Sequence, residues 1–218
     1  MKVKYTGKSY SSIRNNPFNQ KGDDKVTYYD WRKVEKQFYF PTTDPYILKK
    51  PAFQYLIIKR SNPLQKESFI EEMEWVLAVS KAIKLKSNQT NKNPDYQLFP
   101  IECRWIQSDV GEQIDFQLMI RQPRFINEKL LQQAVLSKNN LTHQFFLEQP
   151  EPTLRVFCLH KGSYHTEEDC LNKMTHYCQS KGYQRVGKDY EEIYVADFRN
   201  HTPEQLKTVL SFEIEKTT

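Results

Sequence analysis

The stretch Tyr190-Glu191-Glu192-Ile193-Tyr194-Val195-Ala196-Asp197 decides how this chain is read. It reads as a short strand. Successive side chains of a strand face opposite ways, so Glu192 and Tyr194 share one face and Ile193 and Val195 share the other. The apolar pair is expected to pack against a helix. That leaves a carboxylate and a phenol on a face that aromatic residues elsewhere in the chain can enclose. A carboxylate half-enclosed by rings is a receptor for cations, or an acid/base group with a raised pKa. The plainer alternative is a solvated glutamate on an exposed sheet face, since charged residues are mostly exposed.

Working outward, Thr202-Pro203-Glu204-Gln205 opens a short helix with an N-cap and a proline in its first turn. A strand over 208–215 follows, with Leu210, Phe212 and Ile214 alternating. Upstream lies a strand over 154–160 and a turn at Gly162-Ser163-Tyr164. Thr166-Glu167-Glu168-Asp169 has capping-box form, and the helix it opens carries Cys170, Leu171, Met174, Tyr177 and Cys178 on one face. Gly182 is its expected stop.

The first half has the same order. A strand over 53–59 precedes a helix over 66–86, whose positions 69, 73, 76, 77, 80 and 83 keep to one face. Trp75 sits off the centre of that stripe and is a candidate for a pocket edge. Two strands follow, 96–107 and 114–121, joined by a hairpin turn holding Ser108-Asp109-Val110-Gly111. Asn127 is the expected N-cap of a connecting helix with Leu130, Leu131, Ala134 and Val135 on one side. The two halves overlay at a constant offset of about 100 residues, with Met73 falling on Met174. Two strand-helix-strand-strand units joined edge to edge make one antiparallel sheet, helices on one face and a concave surface on the other. A concave sheet lined with aromatics is a small-molecule pocket.

Composition excludes several alternatives. Aromatics are abundant (13 Tyr, 13 Phe, 3 Trp) and Gly is scarce at 6, and no glycine-rich phosphate motif occurs. No apolar run reaches the ~18 residues a membrane span needs, and no apolar leader is seen. The four cysteines form no CxxC pair, so reduced thiols and a cytoplasmic setting are expected. Neither they nor the five histidines have a metal-site spacing, so no metal and no cofactor are expected. The formal charge of +5 is carried mostly by residues 1–26, where six basic residues face Asp23 and Asp24. The body is therefore about neutral and is not expected to bind nucleic acid. Residues 1–27 read as a basic flexible arm, and 28–218 as the domain, with halves at about 51–125 and 152–218 and a helical connector between them.

Several motifs together resemble a known family. His160-Lys161-Gly162-Ser163-Tyr164 is similar to its H-x-G-P-Y turn. Glu192-Ile193-Tyr194 with Asp197, Arg199, Thr202-Pro203-Glu204 and Leu206-Lys207-Thr208-Val209-Leu210 is similar to its C-terminal signature. Pro100, Glu102 and Trp105 match a P-x-E-x-x-W, and Met119-Ile120-Arg121-Gln122-Pro123 an M-I-R-Q-P. The chain thus resembles the GyrI-like small-molecule-binding proteins in their stand-alone bacterial form. The resemblance implies an α+β fold of tandem β-α-β-β modules, SHS2-like, of the effector-binding-domain type. It implies a hydrophobic or aromatic small-molecule ligand, as in multidrug regulators, where an acid at the position of Glu192 meets aromatic cations. Some members hydrolyse cyclopropanoid alkylating natural products and so detoxify them. No helix-turn-helix is read before the module, so a regulator is not expected. Ser163 replaces the usual proline, and Lys59-Arg60-Ser61 a glycine-containing turn.

The candidate ligand residues are Glu192, Tyr194, Trp105, Glu102, Tyr164, Trp75 and Met119. Tyr194 would orient Glu192, and Trp105 would stack on a planar ligand. Glu102 is a candidate second carboxylate facing Glu192 across the cleft. Two carboxylates in one apolar cleft push their pKa values apart, which suits hydrolysis with Glu192 and Glu102 as acid and base. His160 is more simply a structural histidine than a catalyst. The primary expectation is a binder of hydrophobic, planar, cationic molecules, and the alternative is a hydrolase of strained electrophiles.

Overall fold

The computed structural model describes residues 28–61, 66–90, 93–107, 114–138, 143–163, 166–196 and 201–217. The arm at 1–27, the hairpin turn at 108–111, Tyr164, Asp197 and Arg199 lie outside them. In chain order the elements are β1 (Tyr28–Tyr29), α1 (Trp31–Val34), α2 (Lys36–Tyr39), β2 (Tyr46–Lys50), β3 (Gln54–Ser61) and α3 (Lys66–Gln89). Then come β4 (Asp95–Tyr96), β5 (Ile101–Gln107), β6 (Ile114–Gln122), α4 (Glu128–Leu136) and β7 (Phe146–Glu148). The second half holds β8 (Thr153–Lys161), α5 (Glu167–Ser180), β9 (Tyr183–Arg185), β10 (Tyr190–Tyr194), a 3-10 turn (Pro203–Gln205) and β11 (Lys207–Lys216).

The main sheet runs in the order β2-β8-β11-β10-β5-β6-β3-β7, with β9 added on the end of β11. Every ladder in it is antiparallel. The units β3-α3-β5-β6 and β8-α5-β10-β11 repeat one topology and meet at the β5–β10 ladder, as the offset between the halves implies. Each unit's outer strand is then covered. β7, from the connector, pairs with β3, and β2, from ahead of the first unit, crosses to β8. Neither edge strand was expected. β2 lies between Pro45 and Pro51, and β7 is three residues long, too short for an alternation to be visible.

Local chemistry sets the helix ends. Asn127 caps α4, its side chain accepting from the Leu130 backbone N–H. Gly182 follows α5 at φ +76°, a left-handed conformation that glycine adopts without strain. Thr166 does not cap α5 in the expected way; its hydroxyl donates to the Ser163 carbonyl at 2.8 Å. That carbonyl also accepts from His160 Nε2 at 2.9 Å, so His160 is a buried strut of this turn.

Directly paired residues share a face, so the registers assign every side chain to a layer. Leu56, Ile58, Leu118 and Ile120 lie beneath α3 with Met73, Val76 and Ile83, and Gln122 reaches Ser80 on that helix at 2.9 Å. Val156, Cys158, Leu210 and Phe212 lie beneath α5 with Met174 and Cys178. The opposite face is partly roofed by α1 and α2. Phe38 packs edge-on against Phe53 and Phe157, at centroid distances of 5.3 and 6.0 Å. Glu35 and the Tyr39 hydroxyl accept from the Arg121 guanidinium, which lies 3.4 Å from the Phe53 ring centre. Ile193 is on this face, between Glu102 and Val209, and not under the long helices as expected.

The same face buries an ion network. Lys50 Nζ donates to Glu191 at 2.6 Å and stands 3.6 Å from Glu102, while Arg155 lies 3.4 Å from Glu191. Burial alone would raise the Glu191 pKa, but Arg155 and Lys50 overcome it and hold the carboxyl at about 2. Breaking such a pair strands buried cations. Glu191→Gln is expected to lower stability by about 3–5 kcal/mol in urea denaturation. Glu151→Gln, at an exposed position, should leave the midpoint unchanged.

Candidate functional site

Glu192 pairs with Cys103 on β5 and Leu210 on β11, and both partners face the helices. The carboxylate therefore points into the layer between the sheet and the two long helices. It is 5 % exposed. The Tyr194 hydroxyl, two residues on and on the same face, donates to its Oε2 at 2.5 Å. Trp105 pairs with Tyr190, placing an indole and a second phenol beside it. The Trp105 N–H and the Tyr190 hydroxyl favour the Glu192 anion, although the buried indole N–H completes no hydrogen bond of normal geometry. Phe69, from α3, stacks on Trp105 at 5.6 Å, and Phe116 lies 5.5 Å from the same ring.

The second carboxyl of this site is Glu167, in the first turn of α5 and 6 % exposed. Burial, then the charge of Glu192 and a hydrogen bond to it, push its pKa up to about 10. Burial also raises Glu192, partly offset by Tyr194, Glu167, Trp105 and Tyr190. A carboxyl raised this far keeps its proton at neutral pH. Glu167 is thus the protonated member of the pair, which is set among the rings of Tyr194, Trp105, Tyr190, Phe69 and Phe116. Cys103 lies against it, and burial and then the Glu192 charge hold its thiol well above the ordinary range. It is not a thiolate nucleophile.

The expected partner of Glu192, Glu102, is not there. Glu102 pairs with Ile193, one position along, and one position along a strand is the opposite face. It is buried in the Lys50 network, 1 % exposed. Met119 pairs with Glu102 and Ile57 and clusters with Tyr55 on that far face. Trp75 packs against His143 at 5.2 Å, apart from the Glu192 group. Of the seven candidates, Glu192, Tyr194 and Trp105 come together; Tyr164 is outside the described residues. The cations of Lys59-Arg60 are taken up structurally, Arg60 forking onto Glu72 at 2.8 and 2.9 Å and Lys59 onto Glu148 at 2.7 Å. Glu167, Tyr190 and Phe69 were missed. Glu167 was visible only as an acid opening a helix, and which strand that helix end overlies is a tertiary fact.

Fold and site together define an α+β domain of two β-α-β-β units with an aromatic-walled acidic centre. Residues 43–214 match the family model of the GyrI-like small molecule binding domain, and the chain belongs to that family. Among curated protein sequences none matches. The chain is similar in structure to an uncharacterized conserved protein from Listeria innocua, at a TM-score of 0.74 and 22% identity, covering 86% of this chain and 100% of that one. A hydrolase from the same organism aligns at 0.74 and 19%, with the same coverage. EcmrR, solved in a complex with DNA, aligns at 0.51 and 14%, covering 84% of this chain and 62% of that one. These three likenesses speak to the fold.

The pKa shifts give a pH signature. A carboxyl raised in the folded state contributes stability below its ordinary pKa and loses it as pH rises through the folded value. Glu191 works oppositely, contributing above its ordinary pKa and losing that contribution as pH falls through about 2. Each extra proton held by the folded state steepens the decline by about 1.4 kcal/mol per pH unit. Glu167→Gln is therefore expected to flatten the fall of the melting temperature between about pH 5 and 9, and to raise it at the alkaline end. A profile parallel to the parent's would contradict a proton held on Glu167.

Proposed function

We propose that this domain binds hydrophobic, planar cations over the Glu192 carboxylate. One observation carries the reading. Glu191 and Glu192 are both buried, yet Glu191 has Lys50 and Arg155, whereas Glu192 is in no ion pair among the described residues. A buried anion without a countercharge is costly, and a proton from Glu167 only halves the charge of the pair. A ligand cation would supply the rest, and Trp105, Tyr190 and Phe69 offer ring faces to its planar body. Desolvated contact of a cation with a ring is worth about 2 kcal/mol. This chemistry suits drug or toxin binding of the multidrug kind. The ligand-binding unit is taken as 28–218, its halves at about 51–125 and 152–218, with 1–27 as a separate basic arm. A cytoplasmic setting fits four unbridged cysteines.

A second reading is favoured by the same proton. Glu167 as acid, with Glu192 and Tyr194 beside it, can protonate a leaving group and activate water on a strained electrophile, detoxifying cyclopropanoid-type alkylators. The acid/base pair would then be Glu192 with Glu167, in place of Glu102.

Fluorescence titration with a cationic aromatic dye tests the binder. Glu192→Gln should weaken binding by about 2 kcal/mol or more, while Glu204→Gln, at an exposed position, should not change it. Equal affinities would refute the assignment. Loss of a cyclopropanoid alkylator's chromophore tests the enzyme. Multiple turnovers that Glu167→Gln abolishes support hydrolysis; protection that stops at one equivalent supports binding alone.

A further inference from the structure

The face of the sheet turned away from Glu192 holds a cavity of about 610 Å³, within the size range of small-molecule sites. Its floor is apolar, built by Leu159 and Val195 with Tyr39 and Pro41 of the segment that roofs this face. Phe40 also lines it and is 46 % exposed, a ring held partly in solvent. Lys207 stands at its rim.

Lys207 pairs directly with Lys161 across the β8–β11 ladder. Both are exposed, and neither is in an ion pair among the described residues. Like charges directly opposed on neighbouring strands cost stability. Lys161 lies two residues beyond Leu159 on the same strand, so its side chain faces the same side as the cavity floor. Two opposed ammonium groups beside an apolar hollow are complementary to one anionic head on an apolar body. The Glu192 site has the opposite polarity and the opposite face.

We propose that this cavity is a second ligand site, which takes a soluble amphiphile with a single carboxylate or sulfonate head. Its body lies on Leu159 and Val195, and its head sits between Lys207 and Lys161. This assignment does not depend on what Glu192 binds.

The test uses the full chain and anilinonaphthalene sulfonate, an anionic fluorophore, at neutral pH, with displacement by dodecanoate. Saturable binding is expected, and dodecanoate should reverse it. Lys207→Glu and Lys161→Glu should each weaken it by about tenfold or more. Either substitution also turns a repelling pair into an attracting one, so the melting temperature should hold or rise while affinity falls. A drop in affinity caused by damage to the fold would move both together. Glu192→Gln should leave the probe's affinity unchanged. Absence of saturable binding, or affinity indifferent to both lysines, overturns the proposal. Loss of binding in Glu192→Gln overturns it as well, by placing the probe on the other face.

Discussion

The antiparallel ladder between β5 and β10 is the constraint on which the molecule rests. It joins the two units into one sheet, with Tyr190 opposite Trp105, Glu191 opposite Arg104, Glu192 opposite Cys103 and Ile193 opposite Glu102. The hydrogen-bonded register leaves no freedom in which side each residue takes. A slip of one residue would exchange the two faces, putting Glu191 among thiol and indole and Glu192 among the lysine and arginines. The aromatic-walled carboxyl pair and the ion network exist in their present places because this register holds.

Two consecutive glutamates illustrate how far environment decides chemistry. Both are nearly inaccessible. Burial disfavours the ionised form of each. Glu191 has Arg155 and Lys50 within reach, and these outweigh the lost solvation. Glu192 has phenol, indole and a second carboxyl, and these do not. One residue is a permanent anion that ties β2 and β8 to the junction. The other is in no ion pair among the described residues, and burial holds its pKa up. A site whose countercharge is a proton can exchange it for a cation or pass it to a substrate, so the binder and hydrolase readings share one arrangement of atoms.

The additions to the twofold plan have a common purpose. β2 and β7 cover the outer strands of the two units, and α1–α2 roof part of the face opposite the long helices. Open edges and bare apolar faces are association hazards, and the chain covers them with segments from outside the repeated units. Where that roof ends, at Phe40 and Pro41, the apolar cavity with its lysine rim remains.

Much of this was legible in the chain itself. Alternation in 114–121 and 208–215, helical spacing from Phe69 to Ile83, the Asn127 cap and the offset between halves determined two β-α-β-β units and their junction into one sheet. Alternation also determined that Glu192 and Tyr194 share a face, because a strand's period of two is a local property. What lay across from them was decided only by the tertiary structure. A period of two says which residues share a face, and it does not say which face meets the helices. Glu102 was therefore matched to Glu192 when strand pairing sets it on the other side, and Glu167 was passed over as a helix-opening acid. Contacts between elements depend on register and packing angle, which no local pattern encodes.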